Sequence, residues 1–186
     1  QTARALAAVA EAILASVLRI AERDLIAAHG TIDERPGDGT GMIVIGYGSL
    51  GGIELGFGSD LDLVFVYDGS HAALESNGAK PLDGARYYAR LAQRFVHLLT
   101  MLTRSGRLYE IDIRLRPDGG KGLLVTSLDS YAAYQQERAW TWEHQALVRA
   151  RVVAGDVALG RRFTEARAEA LDARIYGPDL RKKIVE

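Results

Sequence analysis

The sequence has no cysteine among its 186 residues, which excludes disulfide bridges and thiolate metal sites. It has no apolar stretch long enough to cross a bilayer and no signal-peptide pattern at its start. Positive and negative charges nearly cancel, at a net charge of −1, which argues against a protein that binds nucleic acid through bulk electrostatics. These absences lead us to expect a cytoplasmic protein with neither a membrane nor a nucleic acid as partner.

The composition is that of an ordinary globular protein, with 48% hydrophobic and 25% charged residues. The length suits one core domain with a helical appendage. The chain begins at Gln1 rather than at a methionine and ends within a patterned segment. We therefore expect it to be one domain of a longer protein.

The chain is organised around residues 42–67, MIVIGYGSLGGIELGFGSDLDLVFVY. Two apolar runs flank a glycine-rich break, and each run predicts a buried strand. The second strand is headed by Asp60 and Asp62. Because side chains two apart on a strand share a face, both carboxylates project together, while Leu61 and Leu63 cover the other face. Two such carboxylates repel each other unless a cation lies between them, and Mg²⁺ typically takes one or two carboxylates together with substrate phosphates.

A third carboxylate comes from residues 108–117, LYEIDIRLRP, whose clean alternation predicts a half-buried strand. Its polar face carries Glu110, Asp112, Arg114 and Arg116. Placed beside the strand of the paired aspartates, Asp112 would complete a two-metal site, with both arginines directed toward a triphosphate. Glu110 shares this face and is the alternative ligand.

The glycine-rich break also matches a different pattern. Gly46 to Gly51 fits GxGxxG directly after a predicted strand, as in dinucleotide-binding folds. Nine residues separate Gly51 from Leu61, whereas a parallel crossover needs about a dozen or more. We therefore favour a short helix at whose N-terminus Ser49 and the amides of Gly51 and Gly52 meet triphosphate oxygens.

The N-terminal segment predicts one long amphipathic helix over residues 2–29, which ends at Gly30 and is followed by a linker over residues 31–41. The predicted apolar stripe of this helix comprises Leu6, Val9, Ile13, Val17, Ile20 and Leu25.

The remaining elements are predicted to be mostly helical. Gly106 is predicted to end the helix over residues 84–105, and Ser127 is predicted to cap the start of the helix over residues 128–138. The helices are expected over residues 84–105, 128–138, 142–153 and 156–171, with a strand over 123–126 and an exposed loop over 72–83. This gives an N-terminal helix and linker over residues 1–40, a core over residues 41–127 and a helical subdomain over residues 128–186.

A polar and aromatic cluster lies in the predicted C-terminal helices. Trp140 and Trp142 are expected to anchor in the core, as tryptophans near a helix start usually do. His144 and Arg151 are seven residues apart and are predicted to share a helix face. They would face the nucleotide or a protein substrate, or would only join the helices to the core.

These motifs together resemble those of a known superfamily. Gly48 and Ser49, ten residues, then Asp60-Leu61-Asp62-Leu63 and a later Asp112 resemble the signature of the polymerase-β-like nucleotidyltransferases. Three longer segments occur in an order similar to that of the glutamine synthetase adenylyltransferases, over roughly residues 43–156. The segments are GYGSLGGIELGFGSDLDLVFVYD, LYEIDIRLRPDGGKGLLVTS and YQQERAWTWEHQALVRARVVAGD.

The resemblance implies an α/β (α+β) fold, with a mixed-sheet nucleotidyltransferase core between a long N-terminal helix and a C-terminal helical subdomain. It implies transfer of AMP from ATP to a tyrosine hydroxyl of glutamine synthetase, with release of pyrophosphate, as a control of nitrogen assimilation. Two Mg²⁺ ions, or Mn²⁺, would be held by Asp60, Asp62 and Asp112, the last also helping the tyrosine to lose its proton. The implied nucleotide-binding residues are Gly48, Ser49, Ser59, Arg114 and Arg116.

The family enzymes carry two related domains, one adding AMP and the other removing it by phosphorolysis, and they respond to glutamine and to the P-II signalling protein. The segments GFGSDLDLVF and AWTWEHQALVRARVV are more similar to the C-terminal, adenylylating half. The adenylyl-removing domain is the nearest alternative, and a non-catalytic module that senses ATP is the alternative from a different class.

Overall fold

The computed structural model describes residues 1–32, 41–102 and 106–175, so most of the predicted linker lies outside the described residues. The helices are α1 (Thr2–His29), α2 (Gly48–Gly51), α3 (Gly84–Thr100), α4 (Leu128–Glu137), α5 (Thr141–Leu147) and α6 (Val157–Ile175). The strands are β1 (Met42–Gly46), β2 (Leu61–Tyr67), β3 (Ile111–Asp112), β4 (Val125–Ser127) and β5 (Arg151–Gly155). In the described ranges, no helix is long and apolar enough to span a membrane.

The five strands form one mixed sheet, in which four strands follow the order β3-β2-β1-β5 and β4 also pairs with β2. Strand β1 runs antiparallel to both β2 and β5. The other edge of β2 is shared by two parallel neighbours, β3 at its start and β4 at its end. This architecture confirms the predicted α/β (α+β) class. The antiparallel pairing of β1 with β2 also excludes the dinucleotide-binding alternative, which requires a parallel crossover.

Alternation along the central strands separates two hydrophobic clusters, one on each face of the sheet. On β2, Leu63 and Phe65 belong to the cluster formed with α1 and α3, and the ring of Phe65 contacts Phe95 of α3 at a centroid distance of 5.4 Å. Val64 and Val66 belong to the cluster formed with α4 and α6. Helices therefore cover both faces, which explains why β1 and β2 are nearly continuous apolar runs.

Helix α1 has the predicted bounds, and its predicted apolar stripe is wrong at two of six positions. Leu25 is buried, and three further members pack against the core while partly buried, namely Leu6, Ile13 and Val17. Val9 is 53% exposed and Ile20 is 40% exposed. Alanines, which the prediction leaves out, supply three of the six buried residues of α1. Their small side chains let the backbone of the helix approach the sheet and α3 closely. The buried residues of α1 are Ala7, Ala10, Leu14, Leu18, Ala21 and Leu25.

The helix predicted over residues 142–153 is wrong in its second half. Helix α5 ends at Leu147, and residues 151–155 form β5 at the edge of β1. The β-branched pair Val152 and Val153 suits a strand, and the pairing satisfies backbone groups of β1 that would otherwise be buried without partners. The segment after residue 128 is therefore not wholly helical. The division of the chain at residues 127 and 128 stays a prediction.

Two further boundaries differ from the prediction. Helix α3 ends at Thr100 with an extended Met101, so Gly106 does not close it. The strand predicted over residues 108–117 is reduced to β3, because the carboxylate of Asp112 accepts a hydrogen bond from the backbone N–H of Arg114 at 2.8 Å and turns the chain. The predicted cap of α4 is confirmed, since Ser127 Oγ accepts from the N–H of residue 130 at 3.2 Å.

The alanine face of α1 can be tested with a matched pair of substitutions. Ala10 is fully buried, so Ala10→Leu should lower the free energy of unfolding by about 1–3 kcal/mol through overpacking. Ala12 is exposed on the same helix, and Ala12→Leu should change it by less than about 0.5 kcal/mol. Urea unfolding measures both, and equal values for the two variants would contradict the observed face.

Candidate active site

Two of the predicted carboxylates meet where β2 and β3 begin. In the parallel pairing of these strands, Asp62 lies opposite Asp112 and Leu61 lies opposite Ile111, so both carboxylates project from one face of the sheet. Glu110, the alternative third carboxylate, has a side chain that is 70% exposed and paired with Arg107 at 3.5 Å. The structure therefore brings Asp112, rather than Glu110, to Asp62.

The third side of this site is the start of α2. Gly48 has a φ of +53°, and a Cβ added there would lie 2.2 Å from Oδ2 of Asp62. The backbone N–H of Tyr47 donates to the carbonyl of Asp62 at 2.9 Å. Glycine is thus required at position 48 for its left-handed conformation and for the space that the carboxylate occupies.

The carboxylates influence one another electrostatically. Partial burial raises the pKa of Asp62, and the negative charges of Asp112 and Asp60 raise it further, while Arg114 opposes them. Asp60 itself lies exposed immediately before β2, and its role as a metal ligand stays a prediction. A carboxylate whose charged form is disfavoured by two acidic neighbours is a group that a cation would stabilise.

Arg114 is placed at this site by an ion pair. Its guanidinium bonds both oxygens of Asp112, with Nε at 3.0 Å and 2.9 Å, and a further nitrogen contacts Oδ2. Hydrogen bonds from Arg114 lower the pKa of Asp112. The arginine side chain is 80% exposed while that of Asp112 is 21% exposed, so the cation lies on the solvent side of the carboxylate.

Arg116 lies in the following loop and binds its backbone. Its guanidinium donates to the carbonyls of Gly122 at 3.3 Å and Gly120 at 3.2 Å, and to that of Ile113. These bonds hold the loop that joins β3 to β4. A contact of Arg116 with a triphosphate stays a prediction.

The serines and glycine amides that were predicted to contact the nucleotide differ in the hydrogen bonds that they form within the chain. Ser59 Oγ accepts from the N–H of Gly56 at 3.2 Å, within the turn that leads into Asp60. The predicted phosphate contacts of the Gly51 and Gly52 amides are wrong, because these groups donate within α2, to the carbonyls of residues 47 and 48 at 2.9 Å and 3.0 Å. Ser49, in the first turn of α2, remains the candidate.

The donor set suits a hard divalent cation that is shared with a substrate. Within the described residues, no three acidic or histidine side chains converge closely enough to enclose a metal ion by themselves. Mg²⁺ does not need such a cage, since one or two carboxylates and the phosphates of a nucleotide complete its ligands. Asp62 and Asp112, adjacent on one face, meet that requirement.

The sequence predicts this role for neither of the two residues that position α2. Tyr47, directly before Gly48, is 2% exposed, and its hydroxyl hydrogen-bonds that of Tyr131 in α4. Burial raises the pKa of both hydroxyls well above the ordinary range. Arg151, predicted on a helix with His144, lies on β5 and donates to the carbonyls of Leu50 at 3.1 Å and Gly51 at 3.3 Å. It thereby caps the C-terminal end of α2.

The tryptophans predicted to be core anchors are not buried. Trp140 is 69% exposed and Trp142 is 54% exposed. The buried members of this cluster are Glu143, which accepts from the N–H of Trp140 at 2.7 Å, and His144, whose Nε2 lies 2.7 Å from the carbonyl of Gln135. These polar residues join α5 to α4, and the indole rings are left on the surface.

The contact between Gly48 and Asp62 generates a prediction with a matched control. Gly48→Ala and Gly58→Ala both place a side chain at positive φ, +53° and +72°, but nothing lies within 4 Å of the added Cβ at Gly58. We expect both to lose about 1 kcal/mol of unfolding free energy from backbone strain. Gly48→Ala should lose about 1–3 kcal/mol more because Asp62 must move. Chemical denaturation compares them, and identical losses would refute the contact.

Comparison with known proteins shows the family of the chain. A family model described as glutamate-ammonia ligase adenylyltransferase matches residues 1–166. Several relatives carry the name bifunctional glutamine synthetase adenylyltransferase/adenylyl-removing enzyme. The one from Xanthomonas campestris pv. campestris is 56% identical over 181 residues, which cover 95% of this chain and 19% of that protein.

Two other relatives with the same name are similar to this chain to a comparable degree. The relative from Stenotrophomonas maltophilia is 59% identical over 168 residues, covering 90% of this chain and 18% of its own length. The relative from Pseudomonas syringae pv. tomato is 53% identical over 181 residues, covering 95% and 18%. The chain thus spans about a fifth of the length of the curated relatives it matches. On the family model and these identities, the chain belongs to the glutamate-ammonia ligase adenylyltransferase family.

Proposed function

We propose that this chain transfers AMP from ATP to a tyrosine hydroxyl of glutamine synthetase and releases pyrophosphate. The observation that carries the proposal is the placement of Asp62 opposite Asp112, with Gly48 against the Asp62 carboxylate. A nucleotidyl transfer needs acidic side chains for divalent ions next to a backbone segment that receives the triphosphate. The family membership of the chain supports the same reaction.

In this proposal Asp60, Asp62 and Asp112 hold two Mg²⁺ ions, or Mn²⁺, one of which arrives with the triphosphate. When bound, these ions supply charge stabilisation at the α-phosphorus and lower the pKa of a coordinated hydroxyl. The chain itself positions the metal ions and the triphosphate relative to each other. Gly48 lets the backbone at the start of α2 approach the carboxylates. Ser49, the next residue, would contact the triphosphate.

Arg114 would exchange partners when the nucleotide binds. It now neutralises Asp112 from the solvent side, and a triphosphate offers a guanidinium more negative oxygens than one carboxylate does. Transfer of Arg114 to the phosphates would free Asp112 to bind a cation and to accept the proton of the attacking tyrosine. The ion pair would thus keep Asp112 charged and correctly turned until ATP arrives.

The choice between the two halves of the family enzymes rests on the sequence. The relatives are named for both activities, and this chain matches about a fifth of their length. The adenylylating half is proposed because the segments GFGSDLDLVF and AWTWEHQALVRARVV are more similar to it. The adenylyl-removing reaction, phosphorolysis of adenylyl-tyrosine to ADP, is the second candidate because the relatives are named for both activities.

The proposal is tested by incubating the chain with α-labelled ATP, Mg²⁺ and unmodified glutamine synthetase. Label should appear on the synthetase with the parent chain. Asp62→Asn and Asp112→Asn should each lower the rate of labelling at least about 100-fold, because each removes a charge that acts at the reacting phosphate. Glu110→Gln is the matched control, since that exposed acid lies two residues from Asp112 and its loss should change the rate less than about threefold.

The outcomes separate the candidates. Release of ADP from adenylylated glutamine synthetase with phosphate, without labelling in the forward direction, would identify the adenylyl-removing half instead. Bound ATP with no transfer in either direction would contradict both activities and support a nucleotide-sensing module. Equal rates for Asp112→Asn and Glu110→Gln would remove Asp112 from the site.

A further inference from the structure

A cavity lies at the opposite end of α2 from the carboxylates. Its volume is about 470 Å³, and it lies between the C-terminal end of α2, β5 and α6. Its described lining includes Gly51 and Gly52 but not Gly48. Three arginines line it, Arg149, Arg151 and Arg167. The volume falls within the range of about 300–1,000 Å³ that is usual for small-molecule sites.

Two of these arginines neutralise helix ends that would otherwise repel an anion. The last carbonyls of a helix carry partial negative charge. Arg151 covers those of α2, as described above, and also pairs with Glu11 at 2.7 Å. Arg167 does the same for α5, donating from Nε to the carbonyl of Leu147 at 2.9 Å and from a second nitrogen to that of Val148. Those two acceptors are carbonyls without a net charge, so Arg167 keeps a net positive charge while it lines the cavity.

The third arginine holds an exchangeable partner. Arg149 pairs with Glu54 at 2.8 Å, and the two side chains are 53% and 61% exposed. Exposed ion pairs of this kind contribute roughly 0–1 kcal/mol, so a second anion can compete with Glu54 at little cost. Gly52 leaves the approach open, since a Cβ there would lie 3.7 Å from Nη1 of Arg149.

The backbone beside the cavity is strained. Ile53 lies between Gly52 and Glu54 with a φ of +58°, a conformation that β-branched residues rarely adopt. Such residues cost about 1–3 kcal/mol and are concentrated at ligand-binding segments. Val148, 58% exposed, and Val152 add an apolar wall beside the cations.

We propose that this cavity is a binding site for a small phosphate-bearing anion. Arginine guanidinium groups match phosphate oxygens with paired hydrogen bonds. In the bound state a phosphate would replace the Glu54 carboxylate on Arg149 and receive further hydrogen bonds from Arg167. The site is separate from the carboxylate site, yet its occupant would contact the same short helix that begins at Gly48.

The test is a titration of this chain with inorganic phosphate, followed by amide NMR, with sodium chloride adjusted to keep the ionic strength constant. We expect saturable shifts at the amides of Gly52, Ile53 and Arg149. Arg149→Gln and Arg167→Gln should each weaken this binding at least fivefold. Arg86→Gln is the matched control, because Arg86 also forms an exposed pair with a carboxylate, that of Asp83, and its loss should leave the affinity unchanged.

The experiment does not depend on the adenylylation reaction, and a site variant keeps the two proposals apart. Asp112→Asn should leave the phosphate shifts at Ile53 and Gly52 unchanged. Shifts confined to Gly48 and Arg114, shifts that sodium chloride alone reproduces, or an affinity unaffected by Arg149→Gln and Arg167→Gln would each overturn the proposal. Well-dispersed spectra of both arginine variants would show that a lost affinity is not lost folding.

Discussion

The pairing of two backbone segments, β3 along the first residues of β2, is the constraint on which the candidate site depends. It comprises two residues of β3, Ile111 and Asp112, yet it sets Asp112 opposite Asp62. Two negatively charged carboxylates that lie opposite each other on neighbouring strands repel each other unless a cation is present. Arg114 offsets the repulsion by binding Asp112 from its solvent side. The arrangement is thus held ready by an ion pair that a more highly charged ligand can replace.

The rest of the fold serves to place α2 against this pair. The helix is four residues long, too short to be stable alone. It is held at its start by Tyr47, whose hydroxyl is bonded to Tyr131, and at its end by Arg151. Since Arg151 also pairs with Glu11, α1, α2 and β5 are joined at one guanidinium. Because this short segment is fixed at both ends, it has little freedom to move, and Gly48 is held close to Asp62.

Much of this could be predicted from the sequence, because local patterns decide it. The apolar runs specified β1 and β2, the alternation around Asp112 indicated a strand with a polar face, and Ser127 identified the start of α4. Two of the errors have one physical cause, which is that tertiary contacts overrode local preference. Strand β5 forms because β1 needs a partner, and α1 buries Ala10 rather than Val9 because close packing requires small side chains. The amides of Gly51 and Gly52 donate hydrogen bonds to the backbone of α2 itself. Predicting these bonds would have required the length of that helix.

The central claim, that Asp62 and Asp112 form a cation site completed by a nucleotide, is tested most directly by electron paramagnetic resonance of Mn²⁺ titrated into the chain with and without ATP. We predict that ATP tightens Mn²⁺ binding beyond what ATP alone provides. Asp62→Asn and Asp112→Asn should each weaken the ternary complex at least about tenfold. Mn²⁺ and ATP binding that is unchanged in both variants would contradict the account, because the metal would then be held elsewhere.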